Sequence, residues 1–189
     1  MFNVKLLLRF KSIMKPYRLL NRSSTVNNAF AQALATADDF DESKLKSAFG
    51  LLGLIKDGIL LCVYCGRAAS SVDHLNPLVK DRKYTGWGHV IGNLVPACGD
   101  CNQSKGGKPW RAFAREIGME EELIRGLERY ESEAPEPVSQ DDLSILYPDL
   151  IDAYQRLRDL NEDTLRAAQS LANEIQRLEK RRKLENSAK

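Results

Sequence analysis

Four cysteines in two closely spaced pairs constrain the fold of this 189-residue chain more than any other feature. Cys62 and Cys65 form one C-x-x-C pair, Cys98 and Cys101 form the other, and the sequence has no further cysteine. Two residues between thiolates let one turn direct both sulfurs at a single ion, and two such turns complete a tetrahedral site. The spacing therefore predicts one structural Zn²⁺ per chain, held by all four cysteines.

Two disulfides are the alternative use of these thiols. The chain shows no secretory signal pattern, and the cytosol keeps thiols reduced, so metal binding is favoured. The 32 residues between the two pairs exceed what a minimal zinc ribbon needs. We therefore expect a structured insert whose base the metal holds together.

The formal net charge of +2 conceals an uneven distribution. Residues 1–37 carry +6, residues 38–61 carry −2, residues 62–114 carry +4 and residues 115–189 carry −6. A polyanion senses these charges locally, because charges beyond a Debye length of about 8 Å are largely screened. The small total therefore does not exclude a nucleic-acid partner. No apolar run reaches the roughly 18 to 20 residues of a membrane span, so we expect no membrane partner.

The first 25 residues form a basic N-terminal segment without acids. Arg9 and Lys11 interrupt its apolar stretch too early for a secretory signal. We expect a cytoplasmic protein. An organelle-targeting segment and translation from Met14 are the alternatives.

Helical periodicity lies on both sides of the cysteine-bearing segment. It covers residues 26–60, where Asp41 opens a second helix, and resumes at Pro109, a residue that suits a first helical turn. Gly118 predicts the end of that helix. Between the two helical regions the period disappears, with short β-like stretches. The chain is therefore expected to be α+β and mainly helical.

The C-terminal helix, predicted to start near Asp141 or Pro148, carries a heptad-like seam with a polar middle. The seam consists of Leu150, Tyr154, Leu157, Asn161, Thr164, Ala168, Leu171, Ile175 and Leu178. A helix that packs on its own domain and a coiled-coil homodimer both explain it.

Between the cysteine pairs, the sequence resembles a known family. The run CVYCG…VDHLNPL…GNLVPACGDCNQSKG is similar to HNH endonucleases of the ββα-metal class, in the variant with a Cys₄ zinc site that occurs near restriction systems. The resemblance covers roughly residues 60–115. It implies a small ββα-metal core held by the zinc, with the catalytic positions on Asp73, His74, Asn93 and Asn102.

The chemistry of these residues agrees with such roles. His74 has an ordinary pKa near neutrality and suits a general base that activates water. Strand side chains alternate, so Asp73 points away from His74 and can hold a metal. Asn102 would add a second oxygen ligand, which favours catalytic Mg²⁺ or Mn²⁺. Asn93 is expected to orient His74 by bonding to its backbone, and His89 is expected to be structural.

Basic side chains near this segment are candidate DNA contacts. They are Lys80, Arg82, Lys83, Lys105, Lys108 and Arg111. Lys105 is the phosphate-facing lysine that the resemblance implies. Trp110, beside them, is expected to pack in the core.

These patterns divide the chain into four parts: residues 1–25, a helical region at 26–60, an HNH nuclease core at 61–117, and C-terminal helices at 118–189. The resemblance implies a metal-dependent endonuclease that cuts double-stranded DNA, in a restriction or defence role. The alternative is a non-catalytic zinc-knuckle module that binds DNA or a protein.

Overall fold

A computed structural model describes residues 18–187, without the side chains of residues 23, 24, 27 and 187. Most of the basic segment predicted at 1–25 lies outside the described residues. The chain divides into two compact units: one is Asn27–Asp152, and the other combines the residues before it with those from Ala153 onward. Among the described helices, none is long and apolar enough to cross a membrane.

Seven α-helices lie within the described residues, after a 3₁₀ turn at Leu19–Arg22. They are α1 Ser23–Leu34, α2 Glu42–Leu51, α3 Gly99–Lys105, α4 Trp110–Ile117, α5 Glu121–Glu131, α6 Gln140–Leu146 and α7 Pro148–Ser187. The Asp41 carboxylate accepts hydrogen bonds from the backbone N–H groups of Ser43 and Lys44, which caps α2. Gly118 ends α4 in the left-handed conformation. Both predicted helix boundaries are confirmed.

Within residues 18–187, six short strands form three antiparallel two-stranded ribbons. β1 Ile55–Lys56 pairs with β2 Ile59–Leu60, β3 Ser71–His74 with β6 Leu94–Ala97, and β4 Val79–Lys80 with β5 Lys83–Tyr84. The β4–β5 turn holds Asp81 and Arg82 at positive φ. The β3–β6 ribbon is the one that positions the candidate site.

Helix α3 follows β6 and packs against β3, which gives the ββα arrangement that the resemblance implied. The expected α+β class is confirmed. One apolar cluster joins this arrangement to the flanking helices and includes Phe49, Leu54, Leu75, Val95, Trp110, Phe113 and Leu127. Trp110 is 0% exposed, so its predicted core packing is confirmed.

Helices α5 and α6 hold the two ribbons from outside. The Tyr130 hydroxyl on α5 donates to the Leu94 carbonyl at 2.5 Å. The buried Gln140 side chain on α6 accepts from the Tyr84 backbone N–H at 3.0 Å. These hydrogen bonds to backbone groups thus set the positions of β5 and β6 relative to the helices, which nondirectional apolar contacts would leave less defined.

The second unit is built around α7. The Leu19 backbone N–H donates to the buried Gln169 side chain at 2.6 Å. Along the predicted seam, Leu157, Leu171 and Ile175 are each more than half exposed. The coiled-coil homodimer stays a prediction.

Candidate functional site

The four cysteine side chains converge on one point. Their sulfurs all lie within 4.8 Å of one another, and the Cys65 and Cys98 sulfurs are 3.7 Å apart. Zn–S bonds of about 2.3 Å give tetrahedron edges of about 3.8 Å. Cys62 and Cys98 are buried, so the core supports this cluster. An all-sulfur set at this spacing fits a metal such as zinc.

Arg67 completes the surroundings of the cysteine cluster. Its guanidinium donates to the Cys65 sulfur at 3.4 Å and the Cys98 sulfur at 3.5 Å, and pairs with Asp100 at 3.1 Å. Burial raises the pKa of Cys65, but the hydrogen bonds from Arg67 outweigh it and lower that pKa to about 6. Sequence reasoning missed this residue, although a cation two positions after a cysteine pair was the available clue.

The Asp73 carboxylate lies in the interior beneath α3. Its Oδ2 accepts a 2.6 Å hydrogen bond from the Tyr64 hydroxyl and lies 3.3 Å from the Lys105 ammonium. Burial and the neighbouring carboxylate hold the pKa of Tyr64 above its ordinary value, so the phenol remains a donor. Two donors thus fix the position of Asp73.

Lys105 is 1% exposed, which corrects its prediction as a DNA contact. The ammonium points inward, where it also donates to the His74 carbonyl at 2.6 Å. Burial lowers the pKa of Lys105, and the charge of Asp73 opposes that effect. The lysine therefore links α3 to β3 rather than facing solvent.

Asn102 reaches β3 from the same helix. Its Nδ2 donates to the Ser71 hydroxyl and the Val72 carbonyl, both at 3.2 Å. Ser71 and Asp73 share a strand face, so Asn102 and Asp73 lie on the same side of β3. Amide and carboxylate oxygens are the ligand types that hard divalent cations prefer, and here the Asp73 carboxylate contacts Tyr64 and Lys105.

His74 contacts His89 rather than a carboxylate. Its Nε2 is 3.0 Å from the His89 Nδ1, and the two rings meet edge to face with centroids 5.0 Å apart. Burial first, and then the charge of His89, lower the pKa of His74 to about 4. The imidazole is therefore neutral near pH 7 and carries a lone pair that can accept a proton.

Asn93 is 0% exposed and joins two loops. Its Oδ1 accepts from the Asn76 backbone N–H at 2.8 Å, and its Nδ2 donates to the Asn76 and Gly88 carbonyls at 3.3 and 3.0 Å. Asn93 was predicted to bond the backbone of His74, but its side chain bonds the backbone of Asn76, two residues further along the chain. The His74 carbonyl is instead bonded by the Lys105 ammonium. Asn93 ties the segment after His74 to the segment before His89.

Glu131, at the end of α5, is a second connecting residue. Its Oε1 accepts from the Asn76 side chain at 2.6 Å and the Trp110 indole at 3.0 Å, and its Oε2 from Arg111 at 2.5 Å. Arg111, a predicted DNA contact, is thus already paired. Sequence reasoning missed Glu131, because a glutamate at the end of an amphipathic helix resembles a solvated charge.

The remaining predicted DNA contacts are exposed. Lys80, Arg82 and Lys83 lie at the β4–β5 turn, and Lys83 pairs with Asp141 at 2.8 Å. Lys108 pairs with Glu116 at 2.6 Å. Exposed pairs such as these are worth little, so a phosphate can compete for the lysines.

Residues 62–108 match the family model for HNH endonuclease. No curated protein and no solved structure matches the chain. The matched segment spans both cysteine pairs, β3–β6 and α3. Residues 62–108 therefore form an HNH endonuclease domain, and a domain of this kind suggests nuclease or DNA-binding activity.

Proposed function

We propose that this protein is a metal-dependent endonuclease that hydrolyses phosphodiester bonds in double-stranded DNA. One observation carries the proposal: the segment that matches the HNH model folds as ββα with Asp73 and His74 adjacent on β3 and Asn102 on the helix above them. A module that only binds has no need for a base, a carboxylate and an amide in that arrangement.

His74 is the proposed general base: it follows Asp73 on β3, its half-buried ring lies on the opposite face of the strand, and the ring is neutral near pH 7. Asp73 and Asn102 would hold Mg²⁺ or Mn²⁺ through their side-chain oxygens. When bound, such an ion stabilises charge on the phosphate and the leaving 3′-oxygen. Tyr64 and Lys105 keep Asp73 in place by direct contact.

The proposed role of the cysteine cluster is one structural Zn²⁺ per chain. All four positions would be filled by protein, so no site is open for substrate. The β3–β6 ribbon has four residues in each strand, too few to bury a stable core alone. Zinc and the flanking helices are proposed to hold it together.

The exposed cations at the β4–β5 turn and Lys108 are the proposed phosphate contacts. The β4–β5 ribbon is short, and its exposed cations lie at the end of β4, in the turn and at the start of β5: Lys80, Arg82 and Lys83. Binding through such charges releases counterions, so affinity should fall steeply with salt. Arg111 is proposed to act structurally through Glu131.

We also propose a restriction or defence role, which only the family resemblance implies. Cleavage of plasmid DNA prepared with and without base methylation tests it. A strong preference for one form supports that role, and equal cleavage of both contradicts it.

Metal dependence is tested on zinc-loaded full-length protein with supercoiled plasmid. We expect nicking with Mg²⁺ or Mn²⁺ and none with excess chelator under conditions that spare the zinc. Asn102→Ala should lower the nicking rate at least tenfold, whereas Gln103→Ala, an exposed amide on the same helix, should not. Equal rates for both variants would contradict the role of Asn102.

A non-catalytic zinc-knuckle module is the second candidate, and one observation favours it. The Lys105 ammonium lies 3.3 Å from the Asp73 carboxylate, which therefore already has a cationic partner. Such a module would shift DNA in an electrophoretic binding assay without cutting it in any divalent metal. Cleavage that depends on His74 excludes it.

A further inference from the structure

We infer that His89 is a positioning residue: its Nδ1 accepts the His74 Nε2–H and so fixes the tautomer and ring orientation of the catalytic base. This inference rests on the proposed function, because it assigns a partner to the base of that same site. The contact is the 3.0 Å approach of the two ring nitrogens.

Only one proton can lie between these two nitrogens when both rings are neutral. If His74 Nε2–H donates, then His74 Nδ1 keeps the lone pair that a base needs. If His89 Nδ1–H donates instead, the proton of His74 lies on Nδ1 and that atom cannot act as a base. A working base therefore requires His89 to carry its proton on Nε2 and to accept through Nδ1.

The backbone of His89 is fixed by the segment that precedes α2. Its N–H donates to the Thr36 carbonyl at 2.7 Å, and its carbonyl accepts from the Asp38 N–H at 3.2 Å. Gly88 makes this approach possible, because a Cβ there would lie 2.4 Å from the Thr36 oxygen. Residues 36–38 thus belong to the support of the site, which their sequence did not indicate.

Two further bonds hold the loop that carries His89. The Gly88 carbonyl accepts from Asn93 at 3.0 Å, and the Ile91 N–H donates to the Asp38 carboxylate at 2.7 Å. With its backbone bonded to Thr36 and Asp38 and its loop held by two further bonds, His89 is expected to keep its ring direction before substrate arrives. That is what the orienting partner of a catalytic group requires.

If His89 only packs against its neighbours, another aromatic ring can replace it. If its Nδ1 accepts a hydrogen bond, a ring without an acceptor cannot. Asparagine places its amide oxygen near the position of Nδ1, while glutamine carries it one bond further out. His89→Asn should therefore rescue the function, and His89→Phe, which keeps a ring without an acceptor, should not.

The experiment uses zinc-loaded full-length protein with ¹⁵N-labelled histidine, for which only two rings contribute signals. Long-range ¹⁵N–¹H spectra at neutral pH should show His74 protonated on Nε2 in wild type and His89→Asn. In His89→Phe we expect the Nδ1–H form to appear. Plasmid nicking should fall about 10- to 100-fold in His89→Phe, as for other partners that orient a histidine, and stay within about threefold in His89→Asn.

The outcomes separate the inference from the proposed function. Wild-type nicking with unchanged nicking and tautomer in His89→Phe overturns the positioning role and leaves the nuclease intact. A wild-type His74 protonated on Nδ1 also overturns it. A wild type that cuts no DNA contradicts the nuclease proposal, while the spectra still report whether His89 sets the tautomer. If His89→Phe fails to fold, His89→Gln, which retains an amide at the wrong distance, replaces it.

Discussion

Replacement of Asn93 by alanine tests how the site is held together. The side chain is fully buried and makes three hydrogen bonds, to the backbone of Asn76 and to the carbonyl of Gly88. The change leaves the Asn76 N–H and the Gly88 carbonyl without this partner in a buried environment. A buried group left unsatisfied costs about 1–3 kcal/mol, so Asn93→Ala should lower the free energy of unfolding by about 3 kcal/mol.

Urea unfolding of the zinc-loaded protein measures this loss through tryptophan fluorescence, since Trp110 is fully buried in the same core. Gln103→Ala is the matched control and should change stability by less than about 0.5 kcal/mol. Asn93→Asp should be at least as harmful as alanine, because its carboxylate would face two carbonyl oxygens. A loss below about 1 kcal/mol in Asn93→Ala would show that these bonds do not hold the two loops.

Four other measurements have defined outcomes. Glu131→Ala should lower the free energy of unfolding by about 2–4 kcal/mol in urea titrations, because it leaves Asn76 and Trp110 without their acceptor; a surface-like loss below about 0.5 kcal/mol would contradict the connecting role. Arg67→Ala should release zinc to a colorimetric chelator about 10-fold faster than wild type, since two sulfurs lose their donor; unchanged release would show that the guanidinium does not stabilise the thiolates. Metal analysis of freshly purified, reduced protein should find about one zinc per chain, and finding none would defeat the Cys₄ assignment. Lys80→Ala combined with Arg82→Ala should weaken DNA binding and flatten its dependence on salt by about two phosphate contacts; an unchanged slope in filter binding would remove the β4–β5 turn from the interface.

Local pattern was enough to predict those parts of the structure that depend on local chemistry. The cysteine spacing placed four sulfurs together, Asp41 and Gly118 marked helix ends, and the Asp-His pair fell on a strand. The helix ends, the strand and each cysteine pair depend on residues within a few positions of one another, and the shared chemistry of the two pairs indicated that they meet.

Contacts between distant segments could not be predicted in the same way. Glu131 bonds Asn76, which lies 55 positions earlier in the sequence, and residues 36–38 bond the backbone of His89, about 50 positions later. Lys105 was misplaced for a related reason: the resemblance implied a phosphate-facing lysine, but the packing of α3 on β3 turns its ammonium inward. Tertiary packing decided these side chains.

Plasmid nicking by wild type and His74→Ala shows whether the protein cuts DNA and whether His74 acts as the general base. Both proteins would be zinc-loaded, matched in their unfolding curves, and assayed with Mg²⁺ and with Mn²⁺ on supercoiled DNA. A general base contributes about 10²- to 10⁴-fold, so we expect nicking by wild type and a loss of at least 100-fold in His74→Ala. Equal nicking by the two proteins, or no cleavage by folded wild type in either metal, would contradict this expectation.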